Sequence, residues 1–379
     1  MPGPLEGVVI TELAGLGPAP FCGMLLADLG AEVVRVDRIG GPRLPIGTVE
    51  SDVLNRGKNS IAVDLKSPEG VDVVLRTVSR SDALIEGFRP GVAERLGIGP
   101  GECLARQPSL VYARMTGWGQ TGPMADMAGH DIDYIALSGA LHPIGRSDRP
   151  VPPLNLVGDF GGGGMLLALG VLAALHHAGA TGEGQVVDAA MVDGSALLTA
   201  SHHGYLADGW WRPERESNLL DGAAPFYTTY ETADGGHMAV GALEPQFFAA
   251  LLGGLDVHPG QVGDQSDRER WPEMRETFAR RFATRTRDEW AEHFAGSDAC
   301  VAPVLSMVEA PRHPHNTERK TFLTVAGVTQ PAPAPRFSST PSEIGGPPPR
   351  VGEDTDAVAS AAGFSPDEIG MLRESGAIA

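Results

Sequence analysis

Between Gly129 and Gly164 the sequence gathers side chains that can move a proton. His130 follows Gly129 and is flanked by Asp131 and Asp133, in the string Gly129-His130-Asp131-Ile132-Asp133-Tyr134. Asp159 closes the stretch Pro152-Pro153-Leu154-Asn155-Leu156-Val157-Gly158-Asp159, and Phe160-Gly161-Gly162-Gly163-Gly164 then leads into a long apolar segment. Imidazole titrates near neutrality, and a carboxyl in a dry pocket is pushed up towards the same range. Such a pair can move a proton. The glycine run reads as a helix start, whose positive end would hold the resulting anion. Each residue also has a plainer reading. His130 can be a hydrogen-bonded loop histidine, and Asp159 can be an N-cap contributing about 1 kcal/mol.

Other chemistries find less support. No HExxH occurs, and the pairs His176-His177 and His202-His203 would point to different faces of a helix, so no metal set completes around His130. Asp159-Phe160-Gly161 spells a kinase metal motif without the ATP loop or catalytic loop that accompany it. Gly161 to Gly164 lack the Lys-Ser/Thr of a phosphate-binding loop, and Gly-x-Ser-x-Gly is absent. Cys22, Cys103 and Cys300 are scattered, without a CxxC. No metal or redox cofactor is expected.

These residues need a scaffold, and strand and helix alternate along the first half. Val8-Val9-Ile10 leads through Gly15-x-Gly17 into a helix carrying Met24, Leu25 and Leu29, then into the strand Glu32–Asp37. The glycines invite a dinucleotide reading, but no third glycine arrives and Pro18 and Pro20 intervene. Residues 39–58 read as a loop containing Gly40-Gly41-Pro42. Ser60–Leu65 reads as a strand, Gly70–Ser79 as an amphipathic helix, and Asp82–Glu86 and Leu110–Met115 as further strands. This alternation predicts an α/β fold with a doubly wound parallel sheet. Ligands of such sheets lie beyond the carboxyl ends of the strands, where Arg38, Lys66, Arg89 and Arg95 recur and would suit a phosphate-bearing ligand. The segment Met165–Leu175 is apolar on nearly all sides and predicts a buried helix, too short to cross a bilayer. Beyond about residue 200 the composition changes. Phe226–Glu231 and His237–Gly241 flank a turn, Pro245–Leu252 and Arg268–Phe294 read as helical, and a smaller α+β domain is expected over 221–315. Residues 329–350 are proline-rich and suit an extended return connection, and a last helix is expected at Pro366–Ser375.

The chain has 379 residues and a formal charge of −19, so it makes a poor general partner for nucleic acid, although a local basic patch can still hold a small anion. Hydrophobic content of 42% and charged content of 20% are those of a soluble globular protein. Neither a signal peptide nor a peroxisomal address is read at the termini. With the unpaired cysteines, this gives a cytoplasmic expectation, with no membrane partner.

At this point the sequence resembles a known family. Glu12-Leu13-Ala14-Gly15, Leu26–Arg35, Glu86-Gly87-Phe88-Arg89-Pro90-Gly91, Arg114–Pro123, Ala128–Tyr134, Asn155–Gly163 and Gly241–Phe248 resemble the α-methylacyl-CoA racemases of the family III CoA-transferase (CaiB-BaiF) superfamily. The resemblance spans nearly the whole chain. It implies a Rossmann-like large domain over 1–200 completed by 330–379, a small domain over 221–315, and linkers at 201–220 and 316–350. It further implies an obligate homodimer of interlocked chains that shares its active sites. The implied reaction is epimerisation α to a CoA thioester through an enolate. His130 and Asp159 would be the two acid–base groups, with Glu244 orienting His130 from the partner chain. CoA would be held by Arg38, Val63, Asp64, Leu65, Lys66, Gly87, Phe88, Arg89, Arg95, Gly129, Asp131, Ile132, Asp133 and Tyr134. The rival inside the superfamily is a CoA-transferase using Asp159 as nucleophile. A rival of another class is a CoA-binding scaffold without activity.

Overall fold

Short β-branched runs separated by helices favour a parallel sheet, because each crossover returns the chain to the same end of the strands. The computed structural model describes residues 3–41 and 47–379. The loop expected over 39–58 therefore lies partly outside the described residues, at 42–46, as do Met1 and Pro2. In order, the chain forms β1 (Val9–Leu13), α1 (Pro18–Asp28), β2 (Glu32–Arg38), β3 (Asn59–Val63), α2 (Pro68–Val78), β4 (Ala83–Glu86), α3 (Val92–Arg95), α4 (Pro100–Arg106), β5 (Val111–Thr116) and α5 (Asp131–Leu137). After β6 (Gly145–Arg146) and β7 (Arg149–Pro150), a π-helix (Leu156–Met165) runs straight into α6 (Leu166–Thr181), followed by β8 (Gln185–Ala190), α7 (Met191–Leu197) and α8 (Ala200–Ala207). Then come β9 (Tyr227–Glu231), β10 (His237–Gly241), α9 (Pro245–Gly254), α10 (Pro259–Val262), α11 (Trp271–Phe282), α12 (Arg287–His293), β11 (Val301–Pro303) and α13 (Pro314–Glu318). β12 (Phe322–Val325), β13 (Val328–Pro331), α14 (Thr355–Ala361) and α15 (Pro366–Glu374) complete the order.

The chain divides into two compact units, one of Met1–Ala140, Pro153–Thr199 and Thr317–Ala379, the other of Leu141–Pro152 and Ala200–Asn316. The first unit is built on a six-stranded sheet in the order β3-β2-β1-β4-β5-β8, with every neighbouring pair parallel. This is the mixed α/β class expected, and the strand order turns back between β1 and β4, the place where doubly wound sheets open a crevice. Both faces are covered. Ile10, Val33, Ile85 and Ala113 pack with α1 and α6, while Leu13, Val36, Ile61 and Leu84 pack with α2, α4, α14 and α15. The C-terminus closes on β3, where Asp64 donates its N–H to the carbonyl of Ala377 at 2.9 Å and Ile378 bridges Val63 antiparallel.

The second unit carries the antiparallel sheet β11-β10-β9, with the β9–β10 hairpin where the sequence places it. Its core is aromatic, with Phe226, Tyr230, Phe248, Trp271, Phe278, Phe282, Trp290 and Phe294 in one cluster. Two expectations need correction here. Arg268–Phe294 is two helices, because Thr286 and Glu289 form a reciprocal cap that starts α12 afresh. Residues 201–220 are no free linker. α8 begins them, and Arg215 donates to the carbonyls of His142 and Arg146, fastening the segment to residues 141–152.

The glycine run also departs from expectation. Gly161 to Gly164 do not start a helix; they lie within the π-helix, whose N-cap is Asn155. Their role is close packing. A Cβ at Gly162 would lie 2.6 Å from the N of Ser195, one at Gly163 would lie 2.9 Å from Pro18, and one at Gly164 would lie 2.7 Å from the carbonyl oxygen of Pro18. Together the π-helix and α6 make one apolar run of 26 residues, long enough by length and composition to cross a bilayer, unlike the Met165–Leu175 segment read from sequence. It packs instead against β5, β8 and α1 as a core element. Nor is it buried all round. Leu167, Ala168, Val171 and Ala174 face the core, but Leu156, Met165 and Leu169 are 56%, 54% and 63% exposed.

Candidate active site

Asp159 sits in the first turn of the π-helix, at the mouth of the crevice between β1 and β4. Gly17, the N-cap of α1 and the end of the β1 turn, holds φ +67, and a Cβ there would lie 3.2 Å from Oδ2 of Asp159. Gly87, just past β4, closes the other wall, with Ala19 of α1 at 3.6 Å from its Cβ position. Asp159 is thus no N-cap. Asn155 caps this helix, and its amide donates to Oδ2 of Asp159 at 3.0 Å. The Asp159 N–H is itself taken by Oδ2 of Asp131 at 2.7 Å. Burial raises the Asp159 carboxyl above the usual carboxylate range. The Asn155 hydrogen bond works against this, the Asp131 charge works with it, and the His130 imidazole works against it.

His130 is the N-cap of α5, and its backbone N–H donates to the Asp133 carboxylate at 2.9 Å. Asp133, read from sequence as a ligand contact, therefore fixes the backbone that carries the imidazole. Tyr134 is buried and meets Trp118 edge-on, with ring centroids 4.7 Å apart. Both rings press on Gly129, where a Cβ would lie 2.7 Å from Tyr134 and 3.0 Å from Trp118. The close approach that Gly129 permits is thus to these rings. His130 and Asp159 each occupy the positive end of a helix, where a developing anion is favoured. That corrects the place expected for such an anion. The N–H groups of Gly161 to Gly164 lie past the first turn, and the helix ends are at Leu156 and at Asp131.

The carboxyl edge of the sheet gathers the cations that the sequence singles out. Arg38 ends β2, Lys66 follows β3, Arg89 follows β4, and Arg95 ends α3; all four are exposed. Among the described residues none of them makes an ion pair, whereas Arg35, Arg56, Lys58 and Arg114 nearby are all paired. On a chain of charge −19 the unpaired cations stand out against the surrounding negative charge. Val63 is a core residue, Asp64 accepts the Lys66 N–H at 3.1 Å, and Leu65 packs against the same core. The Gly87–Arg89 turn is held from below. Glu86 accepts the Phe88 N–H at 2.6 Å and Nε of Arg114 at 2.9 Å, while Arg114 also reaches Glu94 of α3 at 2.7 Å. Ile132 is exposed on α5. Glu244 lies in the second unit as the exposed N-cap of α9. Among the described residues no cluster of three His, Cys, Asp or Glu side chains could hold a metal ion.

Sequence reasoning overlooked Asn155, Gly17, Gly158 and Arg114. Asn155 stands four residues before Asp159, one helical turn, which is a readable signal. The other three act through space and leave none.

Comparison with known proteins adds a second line. The CoA-transferase family III model matches residues 5–355. The chain is 50% identical to the α-methylacyl-CoA racemase of Mus musculus over 371 residues, covering 97% of this chain and 96% of the relative. It is 47% identical to that of Homo sapiens over 372 residues, covering 97% and 96%. Among solved structures it resembles a CAIB/BAIF family protein from Brucella suis, with TM-score 0.82 and 25% identity, covering 96% of this chain and 100% of that one.

Proposed function

The chain belongs to CoA-transferase family III, and within it we propose that the protein is a racemase of 2-methyl-branched acyl-CoA thioesters. The observation that carries this is geometric: His130 begins α5, and Asp131, the next residue, accepts the Asp159 N–H at 2.7 Å, while burial holds the Asp159 carboxyl above its usual range. Identity of about half the residues with the mouse racemase over nearly the whole chain supports it.

The thioester acidifies the proton on the α-carbon. One group removes it from one face, an enolate forms, and the other returns a proton on the opposite face. The cycle alternates between neutral imidazole with protonated carboxyl and imidazolium with carboxylate, so the two states must lie close in energy. Raising the Asp159 carboxyl brings them together. The enolate oxygen is stabilised by the positive helix ends on which the two groups sit. Arg38, Lys66, Arg89 and Arg95 bind the CoA phosphates, with Val63–Leu65, Gly87, Phe88, Gly129 and Ile132 lining the rest. Glu244 orients His130 from a partner chain in an interlocked homodimer. Acid–base groups and substrate suffice for this chemistry, with no metal or redox cofactor. The cytoplasm is the proposed compartment, supported by three free cysteines.

Incubation of the protein with a 2-methylacyl-CoA in D₂O, without any acceptor acid, is expected to place deuterium at C2 of both epimers. Exchange that requires an added carboxylic acid would assign Asp159 to acyl transfer instead. His130→Ala should abolish exchange while CoA affinity stays within about twofold, because the phosphate-binding edge is untouched.

A further inference from the structure

Asp131 was expected among the CoA contacts, yet its side chain turns inward. It is 7% exposed, and its Oδ2 accepts the Asp159 N–H at 2.7 Å. The approach requires glycine at 158, since a Cβ there would collide with that same oxygen and lie 3.2 Å from Ile135. The other oxygen, Oδ1, is buried and has no hydrogen-bond partner among the described residues. A helix-capping role needs only an acceptor, and an asparagine oxygen would serve. Burying a carboxylate costs more than burying an amide, most of all with one oxygen unpartnered. The charge itself therefore needs a use, and the group beside it is Asp159.

We propose that Asp131 is a positioning residue for Asp159, holding the turn that carries it and setting a second negative charge beside it. The proposal rests on the racemase reading, in which Asp159 carries a proton. Three groups bear on Asp159, namely Asp131 and His130 at the start of α5 and Asn155 on its own helix, while the Tyr134 phenol feels the charge of Asp159. The start of α1 presents the uncharged Gly17 to it. Of these charges, Asp131 favours the protonated carboxyl and His130 opposes it.

The test is the pH dependence of kcat/KM for each epimer with Asp131→Asn. The amide oxygen still receives the Asp159 N–H, so the thermal midpoint should stay near that of the unaltered protein. Removing the charge makes Asp159 more acidic. The fully protonated enzyme then loses its first proton at lower pH, and the acid limb of the bell moves to lower pH. Both epimers must shift together, because the ratio of their kcat/KM values is fixed by their equilibrium. A merely structural role would lower the rate and leave the limb in place, and an unmoved limb overturns the proposal. Should Asp131→Asn fail to fold, Asp131→Ser removes the same charge and is read in the same way. Absence of α-proton exchange in the unaltered protein would instead overturn the racemase reading, so the two failures are distinguishable.

Discussion

Around Asp159 single atoms decide the chemistry. The Asn155 amide donates to the Asp159 carboxylate and favours its charged form. Asn155→Ala removes that donor, so Asp159 should bind its proton more tightly. The acid limb of kcat/KM should then move to higher pH, the opposite of the Asp131→Asn result, and pH profiles of the two variants measured side by side check the sign. Gly17 is the second decisive position. Alanine there would have to hold φ +67 with ψ −114, which side chains rarely adopt, at a cost of about 1–3 kcal/mol, and its Cβ would crowd the carboxylate at 3.2 Å. A displaced acid–base group loses about 10²-fold in rate. Gly17→Ala is therefore expected to lose kcat with near-normal CoA binding, and steady-state kinetics beside a binding titration would show whether it does. His130 and Asp159 were legible as residue types in a telling neighbourhood. Asn155 was legible only in hindsight, and the Gly15-x-Gly17 turn was legible as a turn, but not that Gly17 meets Asp159 from 142 positions away along the chain.

Two elements hold these atoms in place. The π-helix lies so close to α7 and α1 that Gly162 and Gly164 cannot take a side chain without moving backbone. Gly162→Ala would put a methyl 2.6 Å from the Ser195 N, an overpacking expected to cost about 2 kcal/mol in urea unfolding. The α1 start is fixed by Lys58, whose Nζ donates to both oxygens of Glu12 at 2.9 and 2.7 Å, to the Pro20 carbonyl and to Asn55. Both side chains are fully buried, and burial pushes Glu12 up and Lys58 down, each towards its neutral form. The pair survives because every donor has an acceptor. Lys58→Met would strand Glu12, and a loss of about 3–5 kcal/mol is expected from the same measurement. The strands and most helices were legible from period, but the Thr286–Glu289 box that divides Arg268–Phe294 was not read. The π-turn was not, since a glycine run before an apolar run reads equally as a helix start. The close approach of α7 at Gly162 and of α1 at Gly163 and Gly164 explains the glycines inside this helix.

Over the whole chain, two features stand out: an acidic surface interrupted by unpaired cations at the sheet edge, and an apolar helix run left half uncovered. Leu156, Met165 and Leu169 are the exposed side of an element too apolar to prefer water. The proposed homodimer accounts for them. Leu169→Asp is expected to shift the protein from dimer to monomer or aggregate in light scattering and to lose activity with the dimer. A protein that stays monodisperse and dimeric with this change would exclude α6 from the interface.

The sequence by itself determined the parallel α/β class, the hairpin of the second unit, the basic strand ends, and the family. Each of these rests on local period, local turn chemistry or long matching strings. Tertiary structure decided what those residues do to one another. It turned Asp131 from the ligand towards Asp159, set Asp133 on the His130 backbone, and pressed Trp118 and Tyr134 onto Gly129. It also moved the positive helix end from the glycine run back to the Asp159 turn. The physical reason is range. Helix and strand preferences act over a few residues, whereas the ionisation of Asp159 depends on burial and on charges brought from distant elements to within hydrogen-bonding distance.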